Sequence, residues 1–240
     1  MRIALSILLL CAALLAGCRN APAEEREMVR AEVGRADTPE RADTMRDRLR
    51  AALAGSNNEL PDGDPHMRAT AAQGLGDLGD AADAWLLLEV MAGQAPDRNN
   101  MVRLECAIAL GKLRYSGSRD ERRLAALRAL RMRAVQDRDE NGRLIERDFL
   151  VRNAMVNTLA ELGGRDAASA LHDIAQHLEA DLAASAAEAE DKGLLDRCLA
   201  NLVQVTGVAA ETAAANRAAT DSLKPHLAWW ADRVAEMPEG

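Results

Sequence analysis

Three segments of the chain carry the same order of apolar and polar positions. They are residues 67–79 (MRATAAQGLGDLG), 102–114 (VRLECAIALGKLR) and 151–163 (VRNAMVNTLAELG). An apolar residue and an arginine open each one: Arg68, Arg103 and Arg152. Leu75, Leu110 and Leu159 follow seven residues after the arginine, and Leu78, Leu113 and Leu162 three residues later. Spacings of three and seven place these leucines on one face of a helix. Four residues before each arginine stand Asp64, Asn99 and Asp148, side chains that accept hydrogen bonds from the free amides of a helix N-terminus. The pattern therefore predicts three equivalent helices, here called A.

A second helix, B, is expected after each, over 81–92, 119–136 and 165–178. Residues 194–207 read as a fourth helix A. Residues 39–54 read as a lone N-terminal cap helix, and 222–236 as a last helix with Asp221 as its cap and Pro225 in its first turn, where a missing N–H costs little. Ala and Leu dominate while Val, Ile and aromatic residues are sparse, with one Tyr, one Phe and three Trp. That balance favours helices over strands. The fold class expected is all-α.

Gly74, Gly76 and Gly79 spell G-x-G-x-x-G, the dinucleotide-binding pattern. That pattern needs a strand before it and a helix after it. Here it falls at the end of a helix. Gly76 and Gly111 are expected to let helices approach closely, and Gly79 and Gly163 to end theirs. The pattern VR..AA.ALG.LGD followed by a second helix resembles HEAT-like repeats of the bilin-lyase type over roughly residues 40–205. The resemblance implies an α-solenoid of antiparallel helix pairs, with helix B lining the concave face. Such repeats are scaffolds with many uses. The pairing of Val205-Thr206-Gly207 with Trp229 and Trp230 resembles the final repeat of bacterial HEAT-repeat lipoproteins; both tryptophans read as packing aromatics.

The N-terminus reads as a targeting segment. Residues 3–15 are apolar and shorter than the ~20 residues a membrane span takes. Leu15-Ala-Gly-Cys18 resembles the lipobox of bacterial lipoproteins, which implies cleavage before Cys18 and its lipidation. Arg19 follows, which implies the outer membrane, facing the periplasm. The organisation expected is a signal peptide over 1–17, a flexible tether over 18–40, repeats over 41–206 and a capping segment over 207–240. The whole chain has 30 basic and 38 acidic side chains, net −8. Loss of Arg2 with the signal leaves 29 basic side chains and a net charge of −9. That charge argues against a nucleic-acid partner and leaves membrane attachment to the lipid.

Candidate chemistry is limited. Deoxyhypusine hydroxylases, which also use such repeats, need His-Glu pairs on successive helices. None of His66, His172, His177 and His226 is followed by Glu. Cys106 and Cys198 read as buried thiols two repeat steps apart, too far for a disulfide. Helix B of the second repeat carries Arg119, Arg122, Arg123, Arg128, Arg131 and Arg133. In an acidic protein this stripe reads as a site for a protein partner with an acidic segment.

Residues 137–148 (DRDENGRLIERD) break the repeat period and fit the calcium-loop template D-x-[DN]-x-[DN]-G with an acid at position twelve. Asp137, Asp139, Asn141, the Arg143 carbonyl and Asp148 are the expected ligands. The departures are Asp148 in place of a bidentate Glu, as in dockerin-like loops, and Ile145 at position nine; Asp148 is also the equivalent of the caps Asp64 and Asn99. The function expected is a lipid-anchored envelope scaffold that holds a protein on its concave face. The alternative is a bilin-lyase-like enzyme or small-ligand carrier, which would need a deep apolar pocket.

Overall fold

The computed structural model describes residues 23–54, 64–184, 190–220 and 222–239. Cys18 and Asp221 lie outside them. Among the described residues there are eleven α-helices and no strand beyond two isolated bridges. They are α1 (Ala23–Val33), α2 (Pro39–Ala54), α3 (Pro65–Leu78), α4 (Ala84–Ala92), α5 (Asn100–Lys112), α6 (Glu121–Val135), α7 (Phe149–Leu162), α8 (Gly164–Ala183), α9 (Asp191–Thr206), α10 (Ala210–Ala218) and α11 (Leu223–Ala235).

The three equivalent helices are α3, α5 and α7. Each starts where its cap predicts: Asp64 accepts from the His66 amide, Asn99 from the Met101 amide, and Asp148 from those of Leu150 and Val151. Gly79 (φ 71°) ends α3 and Gly207 (φ 70°) ends α9 in the left-handed region, where a Cβ would be strained.

Two rows of helices enclose the core. α3, α5, α7 and α9 pack each against the next, and so do α4, α6, α8 and α11. Across the rows α4 packs on α5, α6 on α7, and α8 on α7 and α9. The repeated leucines Leu75, Leu110 and Leu159 are fully buried between them. Truncating one to Ala costs about 2–5 kcal/mol. A Cβ on Gly76 would stand 2.8 Å from Ala109 Cα, so this glycine sets the close approach of α3 to α5. The G-x-G-x-x-G pattern is thus a helix-packing and helix-ending device.

The arginine that opens each equivalent helix is fixed to an acid just before, or at the first residue of, the next one. Arg68 makes two bonds to Asp97, 2.7 and 3.0 Å. Arg103 makes two to Glu146, 2.6 and 3.0 Å. Arg152, itself buried, reaches Asp191 at 2.7 Å and the Ala134 carbonyl at 2.8 Å. Asp97 and Glu146 each stand two residues before a cap and also accept an amide from it, of Asn99 and Asp148. All three acids are buried.

The N-terminal segment differs from the tether expected over 18–40. Residues Ala23–Val33 of it form α1, which packs on α3. Ala, Glu, Arg and Met are good helix formers, and Val29 and Val33, one turn apart, lie against the core. Gly74 supplies a flat seat, where a Cβ would stand 2.9 Å from Leu49 and 3.2 Å from Val33. Within 207–240 a short helix, α10, precedes the expected last helix.

Candidate interaction surface and the acidic loop

The loop over 137–148 is closed by its own side chains and backbone. Gly142 (φ 73°) makes the turn, and Arg138 bridges to Leu144 across it. Asp139 Oδ1 accepts from the amides of Asn141 and Arg143, both at 2.9 Å, while its Oδ2 faces Arg147 at 3.3 Å. The Arg143 amide foremost, with that of Asn141, holds the Asp139 carboxyl below its ordinary range. The Arg143 carbonyl accepts the Asp139 amide. Asp137 faces Arg133 at 3.5 Å. Asp148 caps α7 and takes the side-chain amide of Asn100 at 2.5 Å. Partial burial pushes the Asp148 carboxyl up, but those donors outweigh it and lower it. Asn141 is exposed. The five expected ligands share one loop, yet their oxygens turn to different partners. Among the described residues no three His, Cys, Asp or Glu side chains converge as a metal site would require.

The arginines expected to form one stripe on α6 are dispersed. Arg122 folds back in a fork on Asp120, at 3.0 and 2.9 Å, and holds that carboxyl well below the usual range. Arg123 is buried and donates to the carbonyls of Ser118, Leu162 and Gly163, satisfying the C-terminus of α7. Arg133, also buried, donates to the Ala92 carbonyl at the end of α4. Arg131 faces Asp173 of α8 at 3.2 Å. Arg119 and Arg128 are exposed and have no ion pair among the described residues. The stripe fails as a unit because α6 turns through 100° per residue, and buried carbonyl ends on both sides draw its inward arginines.

The same row of helices exposes apolar side chains. Trp85 on α4 is 52% exposed and Met132 on α6 is 38% exposed. α4 and α6 pack side by side, tied by the Arg133 bond to Ala92. Tryptophan, methionine and arginine are the residue types enriched at protein interfaces. The sequence signal for Trp85 is a tryptophan next to the first leucine of a helix whose one charged residue is Glu89; it passes as core until the helix is placed. Beyond this surface a cleft of about 360 Å³ opens between the starts of α6 and α8, lined by Arg119, Arg165, Asp166 and Glu239. Arg165 faces Glu239 there at 3.3 Å.

The remaining reactive groups serve the fold. Cys106 and Cys198 are free and buried, and burial pushes both thiols up, away from the reactive thiolate. His172 bonds the Leu227 carbonyl, and His177 the Asp173 carbonyl and Gln136, so the two rings part. His226 stacks on Trp229 and accepts from the Trp230 indole N–H at 3.1 Å. No helix among the described residues is long and apolar enough to cross a membrane. No protein-family model matches the chain, and no curated protein is a significant match.

Proposed function

We propose that this protein is a lipid-anchored envelope scaffold, built as a HEAT-like solenoid of helix pairs and attached through Cys18. On this reading its α4–α6–α8 row receives a protein partner. The observation that carries the reading is the exposure, on two adjacent helices, of Trp85 on α4 and of Met132 on α6, one turn from Arg128, an arginine with no ion pair among the described residues. The partner segment that suits these groups is apolar with acidic flanks, since a buried aromatic anchor supplies affinity and an unpaired arginine supplies charge selection. Two packed rows of helices sharing one core are what stacked repeats would give. Arginines and carboxylates line the cleft at α6 and α8, which suits the scaffold better than a carrier of a small apolar ligand.

The test is crosslinking of the membrane-attached protein to its partner, followed by binding measurements on the captured protein. Trp85→Ala with Arg128→Ala should weaken binding by at least about 30-fold, as loss of an interface anchor does. Asp196→Ala, exposed on α9 in the other row, serves as the comparison. Undiminished binding by the double variant, with its helicity intact, would place the partner elsewhere.

A further inference from the structure

The starts of α3, α5 and α7 lie along one edge of the molecule, and at α5 and α7 that edge exposes apolar side chains where a helix start is normally polar; the equivalent residue of α3 is His66. Met101 and Leu150 occupy equivalent positions, each two residues after its cap, and are 47% and 60% exposed. Ile145 lies between the buried Leu144 and Glu146 and is 49% exposed. These three groups are held close together: Asn100 bonds Asp148, and Arg103 bonds both Glu146 and the Arg98 carbonyl. Arg98 and Arg143, exposed on the same edge, have no ion pair among the described residues. Of the carboxylates nearby, Asp148 is committed to the α7 amides and Asn100, and Asp139 to two loop amides and Arg147, while Glu140 is exposed in the same loop.

The chain enters the fold at this edge. Near its end α1 touches the Gly74 seat through Val33, and Arg30 lines one cleft together with Glu105. Position 33 thus faces 74, late in α3, and position 30 faces 105, mid-α5, so α1 runs in the same direction as both. Its first residue, Ala23, accordingly lines a cleft of about 280 Å³ together with His66 and Met101. Cys18 is five residues before Ala23, a reach of at most about 18 Å.

We infer that this edge, Met101, Ile145 and Leu150 with Arg98 and Arg143, lies against the phospholipid surface, with the arginines at headgroup phosphates. The inference rests on the lipidation of Cys18 in the proposed function. The lipid chains supply the attachment and the edge sets the orientation. Apolar side chains in such contacts sink about 5–10 Å, to the boundary of headgroups and acyl chains. The starts of α4, α6 and α8, at the opposite ends of the helix pairs, are then turned away from the membrane.

The experiment uses the lipidated protein in phosphatidylethanolamine–phosphatidylglycerol vesicles with brominated acyl chains. A fluorophore is placed on Leu150→Cys, on Met101→Cys, or on Ser169→Cys, exposed near the start of α8 and away from the edge; the buried Cys106 and Cys198 stay unlabelled. Quenching at 150 and 101 should exceed that at 169 by at least about threefold, because contact quenching needs acyl-chain depth. Mass measurement of the N-terminal peptide reads lipidation separately. Lipid on Cys18 with equal quenching at all three positions overturns the edge and leaves the anchor standing. An unlipidated Cys18 and no vesicle binding overturn both.

Discussion

Arg103 and Glu146 meet in two parallel N–H···O bonds of 2.6 and 3.0 Å, and both side chains are almost out of water. Glu146 belongs to the loop that breaks the repeat period, and this bond is what the loop delivers to the fold. Glu146→Ala should lower stability by about 3–5 kcal/mol, the cost of leaving a buried charge unpaired. Urea unfolding measures it. Glu140→Ala, in the same loop but exposed, should stay within about 0.5 kcal/mol of the parent protein.

Calcium should leave the melting temperature where a chelator leaves it. To bind, the ion would compete with Arg147 for Asp139 Oδ2 and with Asn100 for Asp148 Oδ2. Saturation of a ~0.1 mM site at ~10 mM calcium would contribute about 2.7 kcal/mol. A rise of that size, removed by Asp137→Ala with Asp139→Ala, would show that the loop rebuilds around the ion.

Acidification should weaken the C-terminal segment through His226. Its ring is fixed in the neutral form: Nε2 accepts from Trp230, and Nδ1 lies 2.7 Å from Asn216 Oδ1. Burial, then the nearby Arg217, lowers its pKa below the ordinary 6.5. The unfolded chain therefore takes up the proton first. The stabilisation is present above pH 6.5 and is lost as pH falls through that value toward the folded pKa. Melting between pH 7.5 and 5.5 should fall further for the parent than for His226→Gln. Parallel curves for the two proteins would remove His226 from the account.

Gly76→Val should destabilise by about 1–3 kcal/mol, the range for overpacking, although valine is the better helix former. The added atoms would run into the backbone of Ala109, 2.8 Å from the Cβ position. Thermal unfolding is the measurement. An unchanged melting temperature would mean that α3 and α5 can separate freely.

The repeated helices were legible in the sequence because their signals are local. Caps, leucine spacing and terminal glycines all fall within one helix, and Asp64, Asn99 and Asp148 do what their type predicts. The acids that pair with Arg68, Arg103 and Arg152 were not legible, though Asp97-x-Asn99 and Glu146-x-Asp148 share a spacing. Their role depends on contacts 29 and 43 residues away. The α6 arginines mislead for the same reason. Arg123 and Arg128 look equivalent in the chain, and only packing sends one inward to carbonyls and leaves the other in water. α1 hid behind its composition, since two valines are a weak signal until Gly74 is seen to receive one of them.

In the ladder of arginines every carboxylate comes later in the chain than its guanidinium: Asp97 after Arg68, Glu146 after Arg103, Asp191 after Arg152. A chain that emerges from its N-terminus must therefore hold each of these guanidinium groups in water until the following repeat has arrived. The first repeats cannot close early, and the unfinished molecule keeps a charge, not an apolar face alone, at its growing end. The last carboxylate to appear, Asp191, locks the step that joins α6, α7 and α9.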